Sequence, residues 1–263
     1  MNAPKANKVA VETAFWDRHV GVRRRKWFRR NWYTQTNRYL WSYTMEAVGD
    51  LTGQRVLLVG CGEAATVAKE MARRGGDVWC LDISPGSIEK FMQHPFEDLA
   101  ERIHPVVGDA EEMPFDAGSF DVVVGKAIVH HLDIGKFMRE LTSVCVPGAR
   151  VIFCEPLGTN PAINLFRWLT PSLRVPTEHP LRRADIKLIR SHCEQLTSRH
   201  CEFLTALSFP WFFLGIMRVG HLVHRISRAM ESAIFRAIPP TRWLAWAIIL
   251  AGRLSSPNRE DKA

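Results

Sequence analysis

Residues 56–75, VLLVGCGEAATVAKEMARRG, decide the fold. Val56, Leu57, Leu58 and Val59 form an uninterrupted apolar run, which suits a strand buried on both faces of a parallel sheet. Gly60 and Gly62 let the backbone turn tightly, and helical periodicity resumes at about Glu63. A second short strand, 77–82, ends in Asp82. A helix start offers free N–H groups and a positive dipole end, and an acid closing the next strand can accept hydrogen bonds from both ribose hydroxyls. A nucleoside-containing cofactor suits this arrangement. Two such cofactors fit it, because Gly60, Gly62 and Ala65 also match dinucleotide spacing and Asp82 lies where such sites keep their acid.

The downstream stretch 104–132, HPVVGDAEEMPFDAGSFDVVVGKAIVHHL, reads as a third strand, an acidic turn and a fourth strand at 120–124. With these motifs in this order, the chain from Val56 through Glu155 resembles the class I S-adenosylmethionine-dependent methyltransferases of small molecules. The resemblance implies an α/β fold: a Rossmann-like, seven-stranded, mostly parallel sheet with helices on both faces and one reversed edge. It implies S-adenosylmethionine as cofactor, with S-adenosylhomocysteine as product. It puts Gly60, Cys61 and Gly62 under the methionine part, Asp82 on the ribose with Ile83 beside it, and Asp109 and Ala110 at the adenine. Lys126 falls near the methionine end, and Pro147 and Gly148 match the turn into the fifth strand. Two residues depart from the pattern. Leu58 stands where the family usually has an acid, and Ala64 where a third glycine is common. Glu63 is the neighbouring acid that could compensate, and a noncatalytic protein that keeps the fold is the reading these departures favour.

The 263 residues and 46% apolar content allow one sizeable α/β domain with additional elements. The six cysteines are scattered without C-x-x-C spacing, which fits reduced, buried thiols. The N-terminal segment has no continuous apolar stretch of the signal-peptide kind, so a cytoplasmic protein is expected. The longest uncharged apolar run, 203–217, is interrupted by Pro210 and too short to span a bilayer. A net charge of +8 is concentrated partly in Arg23, Arg24, Arg25, Lys26, Arg29 and Arg30, interleaved with Trp16, Trp27, Phe28 and Trp32. Such a mixture suits a solvated helix over the cofactor domain, an anionic membrane surface, or nucleic acid.

Three parts are expected. Residues 1–48 form a basic, aromatic helical arm that follows a disordered start at 1–10. Residues 49–255 form the cofactor domain, with a proline-rich lid insertion at about 156–185 and a helical cap at about 210–240. Residues 256–263 form a disordered tail. Within the domain, helices are expected at 63–74, 86–93, 133–145 and 184–195, and the last three strands at 150–154, 202–208 and 245–251. In the cap, Val219, Leu222, Val223, Ile226, Met230 and Ile234 recur on one helical face, suited to packing, to a pocket wall or to a membrane interface.

Methyl transfer from a sulfonium is an in-line displacement, so positioning and exclusion of water carry much of the acceleration. An oxygen or nitrogen acceptor must also lose a proton, and histidine is the natural base. His131, His130 and His179 are the candidates. Tyr33, Glu155, Arg182 and Arg183 are candidate substrate contacts, the arginines for a carboxylate or phosphate. No histidine and carboxylate set has metal-ligand spacing, so no metal is expected. The function expected is methyl transfer to a small, largely apolar acceptor, such as a quinone, polyketide or lipid precursor, with O-methylation first. Peripheral membrane contact stays open. The alternatives are a nucleic-acid methyltransferase that uses the basic arm, the noncatalytic protein, and last a nicotinamide-dependent oxidoreductase.

Overall fold

The structure is a computed structural model that describes residues 5–20, 27–169 and 178–255. Two helices, α1 (Lys5–His19) and α2 (Trp27–Val48), precede the sheet. The start of the chain is therefore helical from Lys5, where disorder through residue 10 is expected from its composition. Docking supplies the order: Asp17 Oδ1 of α1 accepts from Ser84 Oγ at 2.5 Å and from Gly86 N at 3.3 Å.

Strands β1 (Arg55–Val59), β2 (Asp77–Asp82), β3 (Ile103–Val107), β4 (Phe120–Lys126), β5 (Cys145–Pro156), β6 (Cys193–Cys201) and β7 (Ala247–Leu254) form one sheet in the order β3-β2-β1-β4-β5-β7-β6. The first five are parallel, while β7 runs antiparallel to both neighbours. The reversed strand thus lies inside the sheet, not at its edge. Successive β1 side chains serve opposite faces. Leu57 and Val59 join the core beneath α5 (Ile134–Val144) and α7 (Arg183–Ser191), while Val56 and Leu58 join the core beneath α2, α3 (Thr66–Arg73) and α4 (Pro85–Met92). Both faces are covered, and burial of each such side chain contributes about 1.5–3 kcal/mol.

Helix α3 starts at Thr66, three residues later than its periodicity suggests. Neither Ala64 nor Ala65 can cap it with a side chain, and Gly62 N donates to Asp82 instead of opening the helix. The strand expected at 202–208 lies at 193–201, and 204–208 is a 3-10 turn. Glu202, with φ at 66°, ends the strand, and the next two backbone N–H groups donate to Glu231. Further along come α6 (Pro161–Leu169), the short α8 (Phe209–Phe213) and α9 (Met217–Ala237).

Helix α9 inverts the simple amphipathic reading. Its buried positions are Gly220, His224, Ser227 and Glu231, whereas Leu222, Ile226 and Met230 are more than half exposed. Beneath it, Tyr39 stacks on His224 with ring centroids 3.6 Å apart, and Tyr43 Oη lies 3.2 Å from His224 Nε2. A polar network fills the buried face, and of the three uses open to the apolar stripe, packing on the core is not the one taken by Leu222, Ile226 and Met230.

Candidate active site

The order in which the parallel strands are laid down reverses between β1 and β4, so a crevice opens past their carboxyl ends. A cavity of about 260 Å³ occupies it. Gly60 and Gly62 have φ of 68° and 62°, a region favoured by glycine. A Cβ on Gly60 would lie 2.9 Å from Ile128, while one on Gly62 would meet nothing within 4 Å.

Asp82 closes β2 at the cavity wall. Its Oδ2 accepts from Gly62 N at 2.8 Å and its Oδ1 from Ser84 N at 3.0 Å, so the carboxylate sets the glycine loop. Burial raises its pKa, opposed by those backbone hydrogen bonds. Each oxygen keeps a second lone pair for a ligand hydroxyl. Ile83, Asp109 and Ala110 line the same cavity, and Asp109 Oδ1 accepts from Glu111 N, which fixes the acidic turn. Lys126 also lines it. Its Nζ donates to the carbonyl and side-chain oxygens of Asn37, and burial lowers its pKa. Cys61 lies between the glycines, packs partly against the α2 and α3 core, and has its thiol pKa pushed up by burial.

The departures from the usual pattern now have locations. Leu58 is buried among apolar side chains. Glu63 lies outside the cavity, with Oε2 3.4 Å from Lys90 Nζ. The residues present still fit a nucleoside-bearing cofactor, because a glycine cradle, a ribose-height carboxylate and an acidic turn line one crevice. The loss falls at the amino-acid end.

At the other end, His131 lines the cavity and Glu12 reaches it from α1, with His131 Nδ1 3.4 Å from Glu12 Oε1. His130 is buried, and its Nδ1 lies 2.7 Å from Glu155 Oε2. Glu155, a candidate substrate contact, is 1% exposed and accepts from the backbone N–H groups of Ile128, Val129 and His130. It holds the histidine turn and does not line the cavity. His179 sits at the outer rim, its N–H donating to the His130 carbonyl at 3.0 Å, and burial lowers its pKa. Arg182 and Arg183 are exposed at the start of α7, with Arg183 over the Trp243 ring. Neither lines the cavity. Residues 23–26 and the side chains of Arg29, Arg30 and Tyr33 lie outside the described ones. Tyr39 and Tyr43 face α9.

Lys8, Val9, Glu12 and Trp16 of α1 cover the cavity; reading residues 1–10 as a tail hid Lys8 and Val9, and Glu12 was not singled out in the helix expected from Val11. A signal was present: Glu12 and Trp16 are four apart, on one helical face, and Trp16 Nε1 donates to Glu12 Oε2. Sequence spacing gave no metal set. The fold brings one ligand atom each from His130, His131 and Glu178 within 4.8 Å of one another.

Comparison with known proteins gives sequence and fold relatives. Residues 57–153 match the model of a methyltransferase domain. The chain is 29% identical over 162 residues to a ubiquinone biosynthesis O-methyltransferase of Acinetobacter baumannii (strain AYE), covering 60% of this chain and 63% of that one. It thus spans less than two thirds of that relative's length. It is 36% identical over 117 residues to the aklanonic acid methyltransferase DauC of Streptomyces sp. (strain C5), covering 42% and 53%. The solved structure of geranyl diphosphate C-methyltransferase from Streptomyces coelicolor A3(2) shares the fold at a TM-score of 0.65 and 11% identity, covering 96% of this chain and all of that one.

Proposed function

We propose that this chain is a class I S-adenosylmethionine-dependent methyltransferase that methylates a small, largely apolar acceptor, at oxygen in the first instance. The observation that carries the reading is a single cavity with the Gly62–Asp82 cradle at one end and His131 with Glu12 at the other. Relatives named as a ubiquinone biosynthesis O-methyltransferase and an aklanonic acid methyltransferase support this acceptor class.

S-adenosylmethionine supplies an electrophilic methyl group when bound. Gly60 and Gly62 would accommodate its methionine part, Asp82 would hold its ribose, and Asp109 and Ala110 would meet its adenine. Lys126, tied to Asn37, would sit near the methionine end. Helix α1 closes the crevice and excludes water, which strengthens the polar contacts inside. His131 accepts the acceptor's proton, while Glu12 orients the imidazole through Nδ1 and stabilises it once protonated. His130, tied to Glu155, positions the turn.

The exposed Leu222, Ile226 and Met230 stripe of α9, with Arg218 and Arg225 beside it, supports peripheral contact with an anionic lipid surface, from which an apolar acceptor could be drawn. No helix among the described residues is long and apolar enough to cross a membrane. Calorimetry with S-adenosylhomocysteine tests the core of the reading. Binding is expected, weakened about tenfold or more in Asp82→Ala by loss of charge-assisted hydrogen bonds of about 1.5–3 kcal/mol each. No binding at millimolar concentration would remove the enzyme reading.

A further inference from the structure

We propose that His130, His131 and Glu178 hold one divalent transition-metal ion, such as zinc, at the acceptor end of the cavity. Ligand atoms from the three residues cluster within 4.8 Å. His131 Nε2 stands 3.9 Å from Glu178 Oε2, too far for a hydrogen bond. Two ligands of a tetrahedral ion with bonds of about 2.1 Å lie about 3.4 Å apart, so the pair closes on an ion by about half an ångström.

The second observation concerns the far side of each ring. His130 meets Glu155 through Nδ1 and His131 meets Glu12 through Nδ1. Both carboxylates are buried. Carboxylates that grip one imidazole nitrogen fix the ring and raise the basicity of the other, the usual support of a metal-binding histidine. Nε2 is then the nitrogen that each ring has to offer. Three carboxylates, Glu12, Glu155 and Glu178, converge on this pair, while Arg167 bonds the other oxygen of Glu178 at 2.7 Å. Two imidazoles and one carboxylate suit zinc, iron(II) or manganese better than magnesium or calcium, and leave positions open toward the cavity that His131 lines.

For its catalytic consequence the proposal rests on the methyl-transfer reading. An ion here would lower the pKa of an acceptor hydroxyl that reaches it, so that the proton leaves to water. His131 would then act as ligand, with the base role kept for the metal-free protein.

The test uses the full chain, stripped with a chelator and titrated with Zn²⁺ by calorimetry and with Co²⁺ by visible absorption. One equivalent per chain is expected, with cobalt bands typical of nitrogen and oxygen ligands. Glu12→Gln should lose about 10–100-fold in affinity as an outer-shell change, and Glu178→Gln at least as much. S-adenosylhomocysteine binding should be unchanged in Glu178→Gln, which also reports that the variant is folded. Absence of a one-to-one complex, or unaltered metal affinity in Glu178→Gln, overturns the metal site. Metal binding without S-adenosylhomocysteine binding would instead keep the site and sink the methyl-transfer reading.

Discussion

At the end of β1 the chain keeps Leu58 where the resemblance leads one to expect an acid, and the side chain is buried in the core between α2 and α3. A carboxylate at that depth would need partners that the surrounding apolar side chains do not offer. The residues proposed to handle the reaction lie elsewhere. His131 is buried beside Glu12, and its replacement tests its role as base. His131→Ala should slow turnover about 10²–10⁴-fold while S-adenosylhomocysteine affinity stays within a factor of about two, as measured by steady-state kinetics and calorimetry. Turnover at the wild-type rate would reduce His131 to a packing residue. The residues of the glycine loop and Asp82 were legible because their roles depend on backbone conformation and near-neighbour spacing. Glu12 was not, because its partner His131 is more than a hundred residues away and only docking joins them.

At the scale of elements, polar contacts of Lys8, Glu12 and Asp17 tie α1 to the cofactor domain. Asp17 receives Ser84 Oγ and Gly86 N at the start of α4, directly after the strand that carries Asp82. Asp17→Ala should speed amide exchange in α1 and weaken S-adenosylhomocysteine binding, with little change in melting temperature, because α1 contributes little to the sheet core. Equal exchange in both proteins would argue against α1 as the cover. The network under α9 makes a pH prediction. Burial pushes the Glu202 pKa up to about 8 from 4.5, so the folded chain holds a proton that the unfolded chain releases. Stability from this group is complete below about pH 4.5 and is lost as pH rises toward about 8. His224, pushed down to about 4 by burial, acts in the opposite sense and costs stability as pH falls below 6.5. Thermal melts of Glu202→Gln should therefore lack most of the alkaline loss seen in wild type, and an identical pH slope would mean that Glu202 ionises freely in the fold.

For the whole molecule, the positive charge and the outward stripe of α9 bear on where the protein works. Vesicles of mixed anionic and neutral lipid should sediment the wild-type chain at low salt and release it at high salt. Leu222→Ser/Ile226→Ser/Met230→Ser should stay folded, since these side chains are already exposed, and should lose vesicle binding. Retained binding would move the lipid contact elsewhere. The sequence by itself determined the parallel sheet, the glycine turn and the acid on the neighbouring strand, because short-range periodicity and glycine conformation are local properties. It misplaced β6, put the reversed strand at the edge of the sheet and left open which face of α9 is buried. Those features follow from long-range pairing: β7 inserts between β5 and β6, and α9 buries histidine and glutamate against tyrosines from α2. Only the tertiary structure decided that α1 closes the cavity and that His130, His131 and Glu178 meet, because no local pattern encodes which distant polar side chains share one desolvated space.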